Sequence, residues 1–159
     1  MTSVIEFELL KAWAAGIVDG EGCILIHKTG VASNPGYQII VSISSMNPDV
    51  TTPIKAVWGG HWCNDHDRYI KLGLSKRRDY SLYFSRREAK KFLIDIFPYL
   101  KSKQGDALIV LKALLSIPDE SELRALGKKR APVGSSRALI PYYDELLSLR
   151  ESRIPVQES

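Results

Sequence analysis

The sequence predicts an α+β domain, helices backing an antiparallel sheet, on three observations. An apolar segment with helical spacing opens the chain, two stretches of alternating polarity follow it across a turn of glycine, asparagine and proline, and helical apolar patterns return after residue 85. At 159 residues and net charge +4, the chain has the length of one domain whose core needs neither disulfides nor a structural metal. Cys23 and Cys63 are too few and too scattered for a disulfide framework, which points to an intracellular, reducing compartment: the cytoplasm (nucleoid) of a prokaryote, or an organelle. The N-terminus reads as an amphipathic, acidic helix rather than a signal peptide. No apolar run approaches the roughly 20 residues of a membrane span, so no membrane partner is expected.

Ser3 and Glu6 stand at capping-box spacing, which predicts a helix from Val4 to about Asp19. Ala12, Gly16 and Gly20 follow one another at i, i+4, with Ala15 and Asp19 beside them; Leu9, Trp13 and Ile17 form an adjacent apolar face. A glycine inside a helix costs about 1 kcal/mol relative to alanine, so Gly16 implies the close approach of another helix. Two copies of this helix, packed by this face, bring two Glu21 carboxylates together at one end. A helix C-terminus carries partial negative charge, so Asp19 and Glu21 are each unfavourable there by roughly 0.3–1 kcal/mol. A divalent cation shared with a phosphate compensates, because two hard oxygen ligands near a helix end make a ready magnesium site. Taken alone, Gly20-Glu21-Gly22 reads more simply as a glycine-capped helix entering a solvated acidic turn.

From Cys23 to Thr29, Ile24 and Ile26 alternate with Leu25, His27 and Thr29, so one face packs on helices and the other stays open. From Tyr37 to Ser45, Ile39, Val41 and Ile43 point one way and Gln38, Ile40, Ser42 and Ser44 the other. Gly59 and Gly60 open a third stretch, in which Trp62, Asn64, His66 and Arg68 share a face opposite His61, Cys63, Asp65 and Asp67. A fourth strand near Asp79 to Ser85 is apolar on both faces, and its orientation stays open. A mixed polar sheet face suits the major groove of DNA, although a merely solvated sheet shows the same pattern. The spacing of His61, Cys63 and His66, and of Cys23 and His27, matches no compact zinc ligand set.

Arg86 to Tyr99 reads as a helix with Ala89, Phe92, Leu93 and Ile96 inward, stopped near Pro98. A second runs from about Lys103 to Ser116 with Leu108, Leu111 and Leu115 inward. Lysine at a helix start is electrostatically unfavourable, so Lys103 is another charge that local structure does not request. Beyond Pro118 come two weaker helices, Glu120 to Leu126 and Pro141 to Arg150, joined by a basic loop placed to touch a DNA backbone. Between Arg68 and Lys103 there are eleven lysines and arginines against the three acids Asp79, Glu88 and Asp95, a segregation that suits phosphate neutralisation.

Ala14 to Gly22, AAGIVDGEG, resembles the nine-residue signature of the LAGLIDADG homing endonucleases, with Ala14 for the first leucine and Glu21 for the second aspartate. The order of stretches after it, and Phe97 to Gln104 with its lysine, are similar to the family as well. The resemblance covers most of residues 1–118, which makes 1–118 the core domain and 119–159 a C-terminal helical extension of it. It implies an αββαββα core with a curved DNA-binding sheet. It also implies a site-specific endonuclease that hydrolyses phosphodiesters of double-stranded DNA with magnesium, or manganese in its place. One signature per chain implies a homodimer, with Ala12, Ala15, Gly16, Asp19 and Gly20 at its interface and a long pseudo-palindromic target. By the same resemblance Glu21 is catalytic and, with the Gly22 carbonyl, ligates the metal; Lys103 is the catalytic lysine, and Asp19 caps a helix across the dimer. The DNA-reading positions are then Leu25, His27, Thr29, Gln38, Ser42, Ser44, Trp62, Asn64, His66 and Arg68. Two departures stand out: Glu21 is one methylene longer than aspartate, and Ser45 occupies a place where a glutamine stands in relatives. An RNA maturase and a non-catalytic DNA-binding regulator on the same scaffold are the alternatives, and neither requires both Glu21 and Lys103.

Overall fold

The computed structural model describes residues 4–63, 71–73, 80–118, 125, 127 and 137–153. The elements are α1 (Val4–Glu21), β1 (Gly22–Val31), β2 (Asn34–Ser45), α2 (Pro48–Trp58), β3 (His61–Trp62), β4 (Tyr80–Tyr83) and α3 (Arg86–Ile96) with a 3-10 turn (Phe97–Tyr99). After these come α4 (Gln104–Ser116), a second 3-10 turn (Arg137–Leu139) and α5 (Ile140–Glu151). The first seven reproduce the expected αββαββα order. The four strands form one sheet in the order β1-β2-β4-β3, with β4 antiparallel to both β2 and β3. The chain divides into two compact units, Met1–Cys23 with Val41–Lys103 and Ile24–Ile40 with Gln104–Ser159.

In the first unit, the core of α1 is Ala14, Ala15 and Val18, and the helix continues past Asp19 through Gly20 to Glu21. Local signals start the other helices. The Asn47 side chain accepts the Asp49 amide and Pro48 begins α2, while Ser85 and Glu88 close a capping box at α3. The inward face of α3 is Ala89, Phe92, Leu93 and Ile96, as its periodicity predicts. Phe7, Trp58, Phe92 and Phe84 form a run of ring contacts with centroids 6.1, 5.2 and 4.5 Å apart. The Trp58 indole N–H, buried in that run, donates to Asp95 at 2.8 Å, so the aromatic core leaves no donor stranded there.

Strand register settles the orientation that β4 left open. Ile43 lies opposite Leu82, and Leu82 opposite Trp62; Ser42 lies opposite Tyr83, and Tyr83 opposite His61. Residues directly opposite one another share a sheet face. Ile43 and Leu82 are fully buried, so Trp62 belongs to the packed face and His61 to the open one, which reverses the parity read from sequence. Close approach sets this register. A side chain at Gly60 (φ 98°) would stand 2.8 Å from the Leu82 Cδ1, so only a glycine lets β3 start against β4 there. Asn64, His66 and Arg68 lie outside the described residues.

The second unit buries Ile24, Ile26 and Ile39 of the β1–β2 hairpin, Ala107, Val110, Leu111 and Leu114 of α4, and Leu139 and Leu146 further on. Leu111 points inward as expected, but Leu108 and Leu115 do not: they are 45% and 63% exposed. The segment from Ala107 to Leu115 is apolar nearly all round, so periodicity alone could not choose between two faces, and the smaller Ala107–Val110–Leu114 row faces in. Apart from Ala125, the expected helix at Glu120 to Leu126 lies outside the described residues, as does most of the basic loop.

Candidate functional site

Two charges that each sit at the wrong end of their own helix are exchanged between helix ends. The Lys103 ammonium, beside the start of α4, donates to the carbonyls of Val18 and Asp19 in the last turn of α1, at 2.8 Å each. The Asp19 carboxylate accepts the amides of Lys101 at 2.7 Å and Lys103 at 3.0 Å, and the Ser102 hydroxyl at 3.0 Å, in the turn that enters α4. Each charge is unfavourable to its own helix and favourable to the other, because a cation suits orphan carbonyls and an anion suits orphan amides. Asp19 therefore caps within its own chain, where the resemblance implied a cap across the dimer, and these bonds compensate its position without a metal. Partial burial pushes its pKa up, but the bonds from Lys103, Lys101 and Ser102 together outweigh that and hold its carboxyl below the ordinary value of 3.8.

A depressed carboxyl stabilises the fold above its unfolded pKa, and the contribution is lost as pH falls through the lower folded value. Asp19→Ala should accordingly cost about 1 kcal/mol at pH 7, a typical loss for a cap. The gap from wild type should begin to narrow near pH 3.8, where Asp19 of the unfolded chain protonates, and close as pH falls through the lower folded value. Urea unfolding from pH 7 down to pH 3 measures both; a gap that stays constant with pH would mean the carboxylate charge does nothing.

The same helix end carries Glu21 as the last residue of α1, its side chain exposed. Gly22 follows with no room for a side chain: a Cβ there would stand 2.7 Å from both Cα and O of Val18. Lys103 has three N–H donors and uses two on carbonyls, which leaves one. Glu21, Gly22 and Lys103 thus converge on one turn. Among the described residues, no group of three histidines, cysteines, aspartates or glutamates is placed to hold a metal. One carboxylate and a neighbouring backbone carbonyl still fit magnesium, which keeps several waters and takes further oxygens from a phosphate.

On the face proposed for self-association, Gly16 and Gly20 are exposed, and a Cβ at either would meet nothing within 4 Å. Leu9 and Trp13 are exposed on the same helix, and Ala12 is half-buried. Ala15, placed in that face by spacing, is instead fully buried by its own chain.

Of the expected DNA-reading positions, His27, Thr29 and Gln38 are exposed and Leu25 half-buried. Ser42 is only 6% exposed, because a short side chain on a strand paired at both edges is shaded by its neighbours. Ser44 shares a hydrogen bond of 2.8 Å with Ser81 across β2 and β4. Trp62, packed edge-on against Tyr80 and lying under Lys55 Nζ, is not available on the open face. Sequence reasoning missed His61, Ser81 and Tyr83. Their signal was Leu82, the one buried position of β4, which puts both neighbours on the other face. Glu88 holds the start of β3 by accepting the Gly60 amide at 2.9 Å, and the His61 ring stacks on Tyr83 at 6.0 Å.

No family model matches the chain. It is 27% identical over 122 residues to an intron-encoded DNA endonuclease, ai2b, of Dictyostelium discoideum; the match takes in 76% of this chain and 42% of the relative, so the chain spans about two-fifths of that relative's length. Among solved structures, it is similar to the homing endonuclease I-CvuI in complex with its target (TM-score 0.60, 18% identity, 98% of this chain and 89% of that one). It is also similar to the archaeal intron-encoded homing endonuclease I-Vdi141I complexed with DNA (0.61, 14%, 95% and 90%). A third likeness is to the LAGLIDADG homing endonuclease I-GzeII in complex with its DNA target (0.53, 16%, 94% and 46%).

Proposed function

From a chain that has the LAGLIDADG homing endonuclease fold, we propose a site-specific endonuclease that makes double-strand breaks in DNA as a homodimer, with magnesium as cofactor and manganese able to replace it. The observation that carries this reading is the convergence of Glu21, Gly22 and Lys103 on one end of α1, beside a helix face whose glycines are left open. Glu21 and the Gly22 carbonyl would hold the metal, which would supply Lewis-acid stabilisation to the phosphate and its leaving oxygen. The remaining N–H of Lys103 donates to the attacking water or to a phosphate oxygen, and its other two keep the ammonium fixed before substrate arrives. Close packing of α1 against its copy through Gly16 and Gly20 gives each DNA strand one Glu21, so the target is pseudo-palindromic. In one unit His27, Thr29 and Gln38, and in the other His61, Ser81 and Tyr83, present donors and acceptors to base edges. Neither Cys23 nor Cys63 is in a disulfide, which suits a reducing intracellular compartment. No helix among the described residues is long and apolar enough to cross a membrane.

The test is a randomised DNA library incubated with magnesium, with calcium and with chelator, then sequenced deeply. Double-strand breaks at a pseudo-palindromic consensus, with magnesium and not with chelator, are expected. A library that is bound but never cut under any metal refutes the nuclease, and binding to intron transcripts then separates a maturase from a DNA-binding regulator.

A further inference from the structure

Two arginines, Arg150 in α5 and Arg153 two residues beyond its end, close on one buried carboxylate. Asp106, in the first turn of α4, has a side chain 4% exposed; its Oδ1 accepts Arg150 Nε at 3.2 Å and its Oδ2 accepts Arg153 Nη1 at 2.6 Å. A carboxylate out of water is tolerated only with such partners. Gly105 makes the approach possible, since a Cβ there would stand 2.9 Å from Leu149 Cδ2 and 3.2 Å from Arg153 Nη2. The two arginines differ in one respect. Arg150 also donates from Nη2 to the backbone carbonyl of Ile24 at 3.0 Å. β1 is an edge strand of the sheet, and Arg150 binds one of its backbone carbonyls.

Ile24 is three residues beyond Glu21 in the chain, and Asp106 three beyond Lys103. A single planar guanidinium therefore binds the segments that leave both catalytic candidates. Three residues span at most about 10 Å, so a displacement at Ile24 or Asp106 is passed on through a short tether. We propose that Arg150 is a positioning residue for cleavage, fixing where Glu21 and Lys103 stand by holding Ile24 and Asp106 in one rigid fork; this rests on the endonuclease reading above. Arg153 shares the ion pair and lacks the strand contact, so it separates positioning from mere attachment of α5. Lysine cannot replace the fork, because its point charge lacks the fixed planar geometry.

The experiment uses the full chain and its variants Arg150→Met, Arg150→Lys and Arg153→Met. It measures single-turnover cleavage at saturating target DNA, DNA affinity, and backbone amide exchange over residues 21–27. Arg150→Met is expected to cleave roughly 10–100-fold more slowly, the penalty for loosened catalytic geometry. Its DNA Kd should stay within about threefold, and exchange over 21–27 should accelerate. Arg150→Lys recovers part of the rate. Arg153→Met lowers the thermal midpoint comparably yet leaves rate and exchange near wild type. Wild-type cleavage by Arg150→Met, or an equal loss in Arg153→Met, overturns the proposal; should Arg150→Met not fold, Arg150→Lys against Arg153→Met decides it. If the wild-type chain cuts no DNA, the endonuclease reading falls and the rate claim with it. The exchange measurement then still decides the hold on Ile24: unchanged exchange in Arg150→Met refutes it.

Discussion

Glu21→Gln should abolish cleavage while leaving DNA binding intact and the fold slightly more stable. The substitution preserves shape and removes one negative charge. Glu21 is exposed at the last position of α1, so no packing is lost. Removing a carboxylate from the negative end of a helix relieves roughly 0.3–1 kcal/mol, so the melting temperature should rise. The cleavage rate at saturating DNA should fall by roughly 10³-fold or more, about 4 kcal/mol of lost transition-state stabilisation. Affinity should hold or improve, because an anion beside a phosphate backbone has been neutralised. Gel-shift and single-turnover cleavage on the same target, with thermal unfolding alongside, make the measurement. A variant that still cuts at the wild-type rate would end the mechanism. The corresponding change at Lys103 is less informative, since its two bonds to Val18 and Asp19 give it a share in stability as well.

The second large effect is steric. Gly22→Ala places a methyl carbon 2.7 Å from the Cα and carbonyl oxygen of Val18 and 2.9 Å from its Cγ1. Val18 is buried at the base of α1, and its carbonyl holds Lys103, so backbone rather than a flexible side chain must give way. Overpacking of this kind costs about 1–3 kcal/mol. The shift moves the turn that carries Glu21 and the carbonyl that anchors Lys103, so activity should fall further than stability does. Gly20→Ala is the contrast: a Cβ there meets nothing within 4 Å, and alanine is favoured over glycine in a helix by about 1 kcal/mol, so the monomer should not be destabilised. Urea unfolding of both variants compares them. Equal destabilisation of the two would mean that the close approach at Gly22 is not what requires glycine there.

Much of this candidate site is legible in the sequence. Charges at the wrong helix ends are a local property, so Asp19, Glu21 and Lys103 stood out from composition and spacing alone. The explanation attached to Asp19 was not legible, because its partners at 101–103 are more than eighty residues away and appear only when α1 and the turn into α4 meet. Trp62 shows a different limit. A strand of two described residues after two glycines carries too little alternation to declare its face, and only pairing with Leu82 assigns it. Leu108 and Leu115 show a third: where a helix is apolar on every side, periodicity names no inner face.

Local periodicity and capping chemistry were enough to determine the α+β class, the inward isoleucines of β1 and β2, and the inward face of α3; the αββαββα order, with its helix α2, was implied by the family resemblance. They act over one or two turns or a few alternating residues, and the sequence carries them in full. Tertiary structure alone decided the parity of β3, the inner face of α4, the cap made by Asp19, and the Arg150 fork on Asp106 and Ile24. Each of these depends on which distant segment arrives alongside, and a local pattern records that a face or a charge needs a partner without recording which partner it is.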